Sequence, residues 1–197
     1  MKRVKLTTSI MLMAFLSLSA MSCKEVKKEN GQENAMHSEM DHNEMDQTNP
    51  MEHSNIQISG AQSVLKDYMV LKDALVATNK EEAAIAGKQL KVTLKSFDVS
   101  GYASEKQEEL NGIISDAEKQ AELIEKSDID QQRKHFKTLS KNIMDMIVIT
   151  GTQTTLYQQF CPMYDGGGAW LSMSKDIKNP YYGSKMLACG MVQKEIN

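Results

Sequence analysis

Between Ile56 and Thr150 the apolar residues recur at the 3.6-residue period of amphipathic helices. Val64, Tyr68, Leu71 and Leu75 share one face of a first helix. Asn79 with Glu82 has the spacing of a capping box, in which a short polar side chain accepts a backbone N–H three residues on, and so starts a second helix. That helix carries Ala83, Ala86, Leu90 and Leu94 and ends near Phe97. Ser104 with Gln107 opens a third, bearing Leu110, Ile113, Ile114, Ala117, Ala121 and Ile124. Asp128 with Gln131 opens a fourth, bearing Phe136, Leu139, Ile143, Ile147 and Thr150 and running past Met146. No proline falls between Pro50 and Pro162, and the connectors are short. The pattern predicts an all-α fold, a four-helix antiparallel bundle.

The helical period stops at Gly151. Tyr157, Phe160, Trp170, Tyr181 and Tyr182 then alternate with Gly166, Gly167, Gly168, Pro180 and Gly183, which predicts irregular, aromatic and glycine-rich structure packed on the bundle. Trp170, Tyr181 and Tyr182 serve either as core or as a shield over a site. The three glycines lack the Lys-Ser/Thr that a phosphate loop requires, so they are read as a turn.

Upstream of the helices the chain changes character twice. Basic Lys2, Arg3 and Lys5 precede an apolar run from Ile10 to Ala20, then Ser22 and Cys23. The run is shorter than the roughly 20 residues needed to span a bilayer and has the layout of a signal peptide. The expectation is a lipoprotein signal over residues 1–22 with Cys23 as the lipidated residue, giving a cell-envelope, periplasm-facing protein held by lipid, or a secreted one if no lipid is added. Losing Lys2, Arg3 and Lys5, and no acidic residue, takes the net charge from −3 to −6, which disfavours nucleic acid as a partner. Residues 23–55 have almost no branched apolar or aromatic side chain and are read as a disordered tether. Residues 56–197 make one helical domain with a C-terminal Cys/Met segment.

The tether is rich in soft ligands. Met36, His37, Met40, His42, Met45, Met51 and His53 are interleaved with Glu39, Asp41, Glu44 and Asp46. Thioether selects Cu(I), and imidazole suits copper and zinc. The plain alternative is a solvated linker in which methionine has no role. A second group is the pair of tripeptides Cys161-Pro162-Met163 and Cys189-Gly190-Met191. Each offers a thiol and a thioether two residues apart, which an extended chain turns to one side, and together they would make an all-sulfur site for Cu(I), with silver or zinc as other guests. Against this stands a disulfide, the usual state of two cysteines in an exported domain. It would close a loop of about 28 residues and contribute on the order of 3 kcal/mol. His135, beside Phe136, is either a further ligand or a hydrogen-bonded surface residue. No hydrolytic triad or nucleophile elbow is present, and Cys161 as a nucleophile served by His135 has no motif around it, so the expectation is a protein that is not an enzyme.

The blocks Tyr157 to Phe160, Cys161-Pro162-Met163, Trp170-Leu171-Ser172, Asn179-Pro180-Tyr181-Tyr182-Gly183, Met186-Leu187 and Cys189-Gly190, with Tyr68, Leu71 and Ala74 upstream and Arg133, Phe136, Leu139 and Ser140 in the fourth helix, resemble a bacterial domain family of formally unknown function. That family is found in the Bacteroidetes as small lipoproteins and at the C-terminal end of periplasmic adaptor subunits of heavy-metal efflux pumps. The resemblance spans roughly residues 57–195 and leaves the tether outside. It implies a periplasm-facing helical domain associated with copper or related cations and with an efflux system as partner. Carried over by motif, Cys161, Met163 and Cys189 are its candidate ligands. The readings that follow are a copper-binding lipoprotein for buffering, resistance or transfer, and a disulfide-stapled, metal-free adaptor that recognises an efflux or envelope protein.

Overall fold

The computed structural model describes residues 50–197, with side chains from residue 60. The signal peptide, Cys23 and most of the tether lie outside the described residues. Four helices follow one another, α1 (Pro50–Val76), α2 (Lys80–Lys95), α3 (Ser104–Lys126) and α4 (Ile129–Thr150). Each packs on the next, and α1 also meets α4. Helix α1 begins at Pro50, ahead of the apolar period that starts at Ile56, so Met51 and His53 lie on helical backbone.

Local signals set three of the helix starts in different ways. Asn79 Oδ1 accepts from the Glu82 N–H at 3.1 Å, and Asp128 Oδ1 accepts from the Asp130 and Gln131 N–H groups at 3.1 and 3.0 Å, so orphan donors of both helix starts are satisfied. Ser104 does not cap α3. Ala103 occupies the cap position without a side-chain bond, and Gln107 instead reaches back to donate to the Tyr102 carbonyl at 2.7 Å. The predicted apolar faces are the buried ones, except that Ile113 and Thr150 are only half-buried.

The expectation of an all-α fold with an irregular C-terminal segment is corrected by three strands, β1 (Leu156–Cys161), β2 (Gly168–Ser172) and β3 (Met191–Ile196). They form an antiparallel sheet in the order β2-β1-β3. Tyr157 faces Ser172 and Cys161 faces Gly168 on one side of β1, while Leu156 faces Ile196 and Phe160 faces Met191 on the other. The strands escaped the period-two test for a physical reason. β2 is buried almost throughout, and β3 is exposed almost throughout, so neither alternates. An irregularity at Gln158/Gln159 also breaks the register between β1 and β3.

The sheet is fastened to the bundle by aromatic packing and by two buried polar groups. Tyr68 stacks on Phe136 at 5.3 Å, Phe136 meets Tyr181 at 5.8 Å, and Tyr181 meets Trp170 edge-on at 5.8 Å. These contacts make a continuous line from α1 to β2, each pair adding to the apolar burial. The Tyr68 hydroxyl, fully buried, lies 2.8 Å from Ser140 Oγ of α4 and accepts the Leu171 N–H of β2 at 3.1 Å. Arg133 of α4, 5% exposed, donates through Nε to the Pro180 carbonyl at 3.2 Å and through Nη2 to Thr78 Oγ1 at 3.0 Å and the Leu75 carbonyl at 3.4 Å. Gly183 (φ 56°) passes so close that a Cβ would lie 2.3 Å from Thr78 Oγ1 and 2.9 Å from Arg133 Nη2, so only glycine fits.

Tyr68→Phe strands the buried Leu171 N–H and takes one partner from the Ser140 hydroxyl, and it should lower unfolding free energy by about 1 to 3 kcal/mol. Tyr182→Phe removes only a more exposed bond to the Met163 carbonyl and should cost under about 1 kcal/mol. Urea denaturation of the two variants checks the order, and equal losses would contradict the anchoring role given to Tyr68.

Candidate sulfur site

Strand β1 ends at Cys161, which the β1/β2 pairing places opposite Gly168. Cys161 is fully buried, and Cys189 is half-buried. Their Sγ atoms are 2.9 Å apart, across 28 residues of sequence, and both cysteines are free thiols. The segment that brings Cys189 there is held by Asn179, which has no exposed surface. Its Nδ2 donates to the Cys189 carbonyl at 2.7 Å, while its Oδ1 accepts from the Tyr181 and Tyr182 N–H groups at 2.8 and 3.2 Å. The Asn179 N–H donates to the Leu187 carbonyl at 2.8 Å, and the Cys189 N–H to the Met186 carbonyl at 3.0 Å. Gly190 (φ 150°) follows at once, packed so that a Cβ would meet the Trp170 ring at 2.9 Å and the Phe160 carbonyl at 3.0 Å. Asn179 and Gly190 are therefore the residues that position Cys189. Sequence reasoning gave neither a role, although both residues stood in the blocks that carry the family resemblance.

Two sulfurs at this separation need to close by less than about 1 Å to form a disulfide, whereas two thiolates sharing a tetrahedral ion stand roughly 3.7 Å apart. The hydrogen bond to Cys161 pushes the Cys189 thiol above its ordinary range, and burial adds to that. The Cys189 thiol is thus protonated at neutral pH and available to an oxidant or a thiophilic ion that can displace the proton.

The structure brings Cys161 and Cys189 together. Met163 lies in the turn after β1 and Met191 opens β3, and both expose more than half of their surface. Met186, exposed by 39%, was not among the predicted ligands, and the signal for it is the spacing Met186-x-x-Cys189-x-Met191. His135 is engaged elsewhere. Its Nδ1 is 3.1 Å from Gln120 Oε1 of α3, and burial, with Lys134 adding, lowers its pKa. Among the described residues no group of three or more His, Cys, Asp or Glu is arranged to hold a metal ion. Met36, His37, Met40, His42 and Met45 lie outside the described residues, and for Met51 and His53 only the backbone is described.

Elsewhere on the surface, α1 and α2 leave a groove floored by Val70, Ala74, Ile85 and Ala86 and rimmed by Asp67, Asp73 and Glu82. Val70 and Ile85 are 54% and 70% exposed. Among the described residues no helix is long and apolar enough to cross a membrane.

Neither the curated proteins nor the solved structures hold a match to this chain. Residues 64–155, from within α1 to the residue before β1, match the model of an uncharacterised domain family described as protein of unknown function (DUF3347), so the helical bundle carries the likeness and the sulfur pair lies beyond it.

Proposed function

We propose that this chain is an exported lipoprotein, anchored through Cys23, that binds copper as Cu(I) and buffers it or passes it to an efflux system. The observation that carries this reading is the density of soft donors between residues 36 and 53, where Met36, Met40, Met45 and Met51 alternate with His37, His42 and His53. A solvated linker has no physical need of thioethers, which hydrate poorly and oxidise readily, whereas a Cu(I) carrier does. The sulfur site supports the same reading. Cys161 and Cys189 are flanked in sequence by Met163, Met186 and Met191, all with exposed side chains, so thiol and thioether are offered at one end of the sheet. Silver, equally soft, is the expected competitor, and zinc would draw on the thiols and imidazoles.

The 2.9 Å separation of the sulfurs favours a second reading, a disulfide-stapled adaptor without metal that recognises an efflux or envelope protein. The groove between α1 and α2, apolar in its floor and acidic at its rim, would then take a basic partner segment.

Competition titration of Cu(I) against a chromogenic chelator decides for or against the first reading. Replacing Met36, Met40, Met45 and Met51 together by Ser should weaken Cu(I) binding by at least about tenfold while the urea midpoint stays in place. Unchanged affinity would remove the segment from the function. For the second reading, the Cys23→Ser chain should show no free thiol when unfolded without reductant, and reduction should lower its unfolding free energy by on the order of 3 kcal/mol. Two titratable thiols in protein isolated under air would exclude the staple.

A further inference from the structure

We infer that Cys161 and Cys189 are a two-electron donor that reduces cupric ions at the surface of this protein and closes to a disulfide in doing so. The inference rests on the reading that copper is the cargo, and it supplies a step which that reading lacks. Thioethers hold Cu(I) and discriminate against Cu(II), whereas copper that has met air arrives as Cu(II). A chain whose soft donors are methionines therefore needs a source of electrons.

The geometry assigns the two thiols unequal parts. Cys161 has no exposed surface, while Cys189 is partly open, so a cupric ion meets the Cys189 sulfur first. A lone thiol that gives up one electron is left as a sulfur radical, or must find a second molecule to pair with. Here the second sulfur is already 2.9 Å away, held there by the strand register at Cys161 and by the Asn179 bond to the Cys189 carbonyl. The step balances as follows. Two Cu(II) ions take one electron each and leave as Cu(I); the two S–H bonds break and their protons pass to water; one S–S bond forms. Met186 and Met191, 39% and 55% exposed and close to Cys189 in the chain, offer thioethers to the Cu(I) as it forms.

The test uses the full chain carrying Cys23→Ser, reduced, freed of reductant without oxygen, and mixed with cupric sulfate and an excess of a chelator that colours only with Cu(I). Two Cu(I) per chain are expected, with loss of two hydrogens from the protein mass and a peptide that links residues 161 and 189. Cys161→Ser should slow the initial rate by at least about tenfold and divert the product to intermolecular dimers. Since Cys161 is buried, alkylation of Cys189 in the otherwise unaltered protein provides the same block without a core substitution and should also abolish the fast phase. A yield well below two Cu(I), or an initial rate in Cys161→Ser and in the alkylated protein equal to that of the unaltered protein, overturns the inference. A separate Cu(I) titration of the same sample keeps the two readings apart. Reduction without retention of Cu(I) sinks the metal-binding reading alone, and retention without reduction sinks this one alone.

Discussion

A phenol oxygen with no route to water joins the two parts of this structure. The Tyr68 hydroxyl is fully enclosed, and burial raises its pKa well above the ordinary phenol value, so it stays protonated and must find partners inside the protein. It finds Ser140 on α4 and the Leu171 N–H on β2. The demand is strict, because the hydroxyl and the backbone N–H would each be stranded if the sheet shifted by one residue. The aromatic line from Tyr68 through Phe136 and Tyr181 to Trp170 supplies the apolar burial, but such packing tolerates sliding. The hydroxyl gives it a fixed register. The position of β1, and hence of Cys161, follows from that register.

Helices were readable in the sequence and strands were not, and the contrast has a physical origin. A helix on the surface of a bundle exposes one side along its whole length, so α2, α3 and α4 record their geometry as a period, and Asn79 and Asp128 mark their starts. In the sheet, β2 is enclosed between the bundle and β1, while β3 faces solvent. One strand therefore lacks polar positions and the other lacks a buried face. Both sequence readings of Cys161 and Cys189, the shared sulfur site and the disulfide, required them to lie close together, and their sulfurs are 2.9 Å apart. The device that holds them, Asn179 with its bonds to Tyr181, Tyr182 and Cys189, was hidden because an asparagine before a proline reads as an ordinary turn. His135 shows the reverse case. Its neighbour Phe136 faces the core, yet one residue on a helix is a rotation of about 100°, which carries His135 to Gln120 on α3.

The chemistry available to the folded part is set by what surrounds the sulfurs. Burial of Cys161 in the core keeps it from external thiols, so exchange with other molecules has to pass through Cys189. The Cys161 hydrogen bond and burial raise the pKa of the Cys189 thiol, which therefore stays protonated and slow toward electrophiles. A site of this type responds to agents that bind sulfur strongly enough to displace a proton. That is a different selectivity from the low-pKa cysteines of thiol-exchange enzymes.

β3 has a further consequence for how the protein behaves in a crowded compartment. It is an edge strand, paired with β1 on one side and with no strand on the other among the described residues, and an open edge is a template for unwanted strand addition by a neighbouring molecule. Met191 and Val192 lie at the end of the strand that follows Cys189 and Gly190, and the exposed Lys194 and Glu195 further along it carry charges that resist a dry second strand.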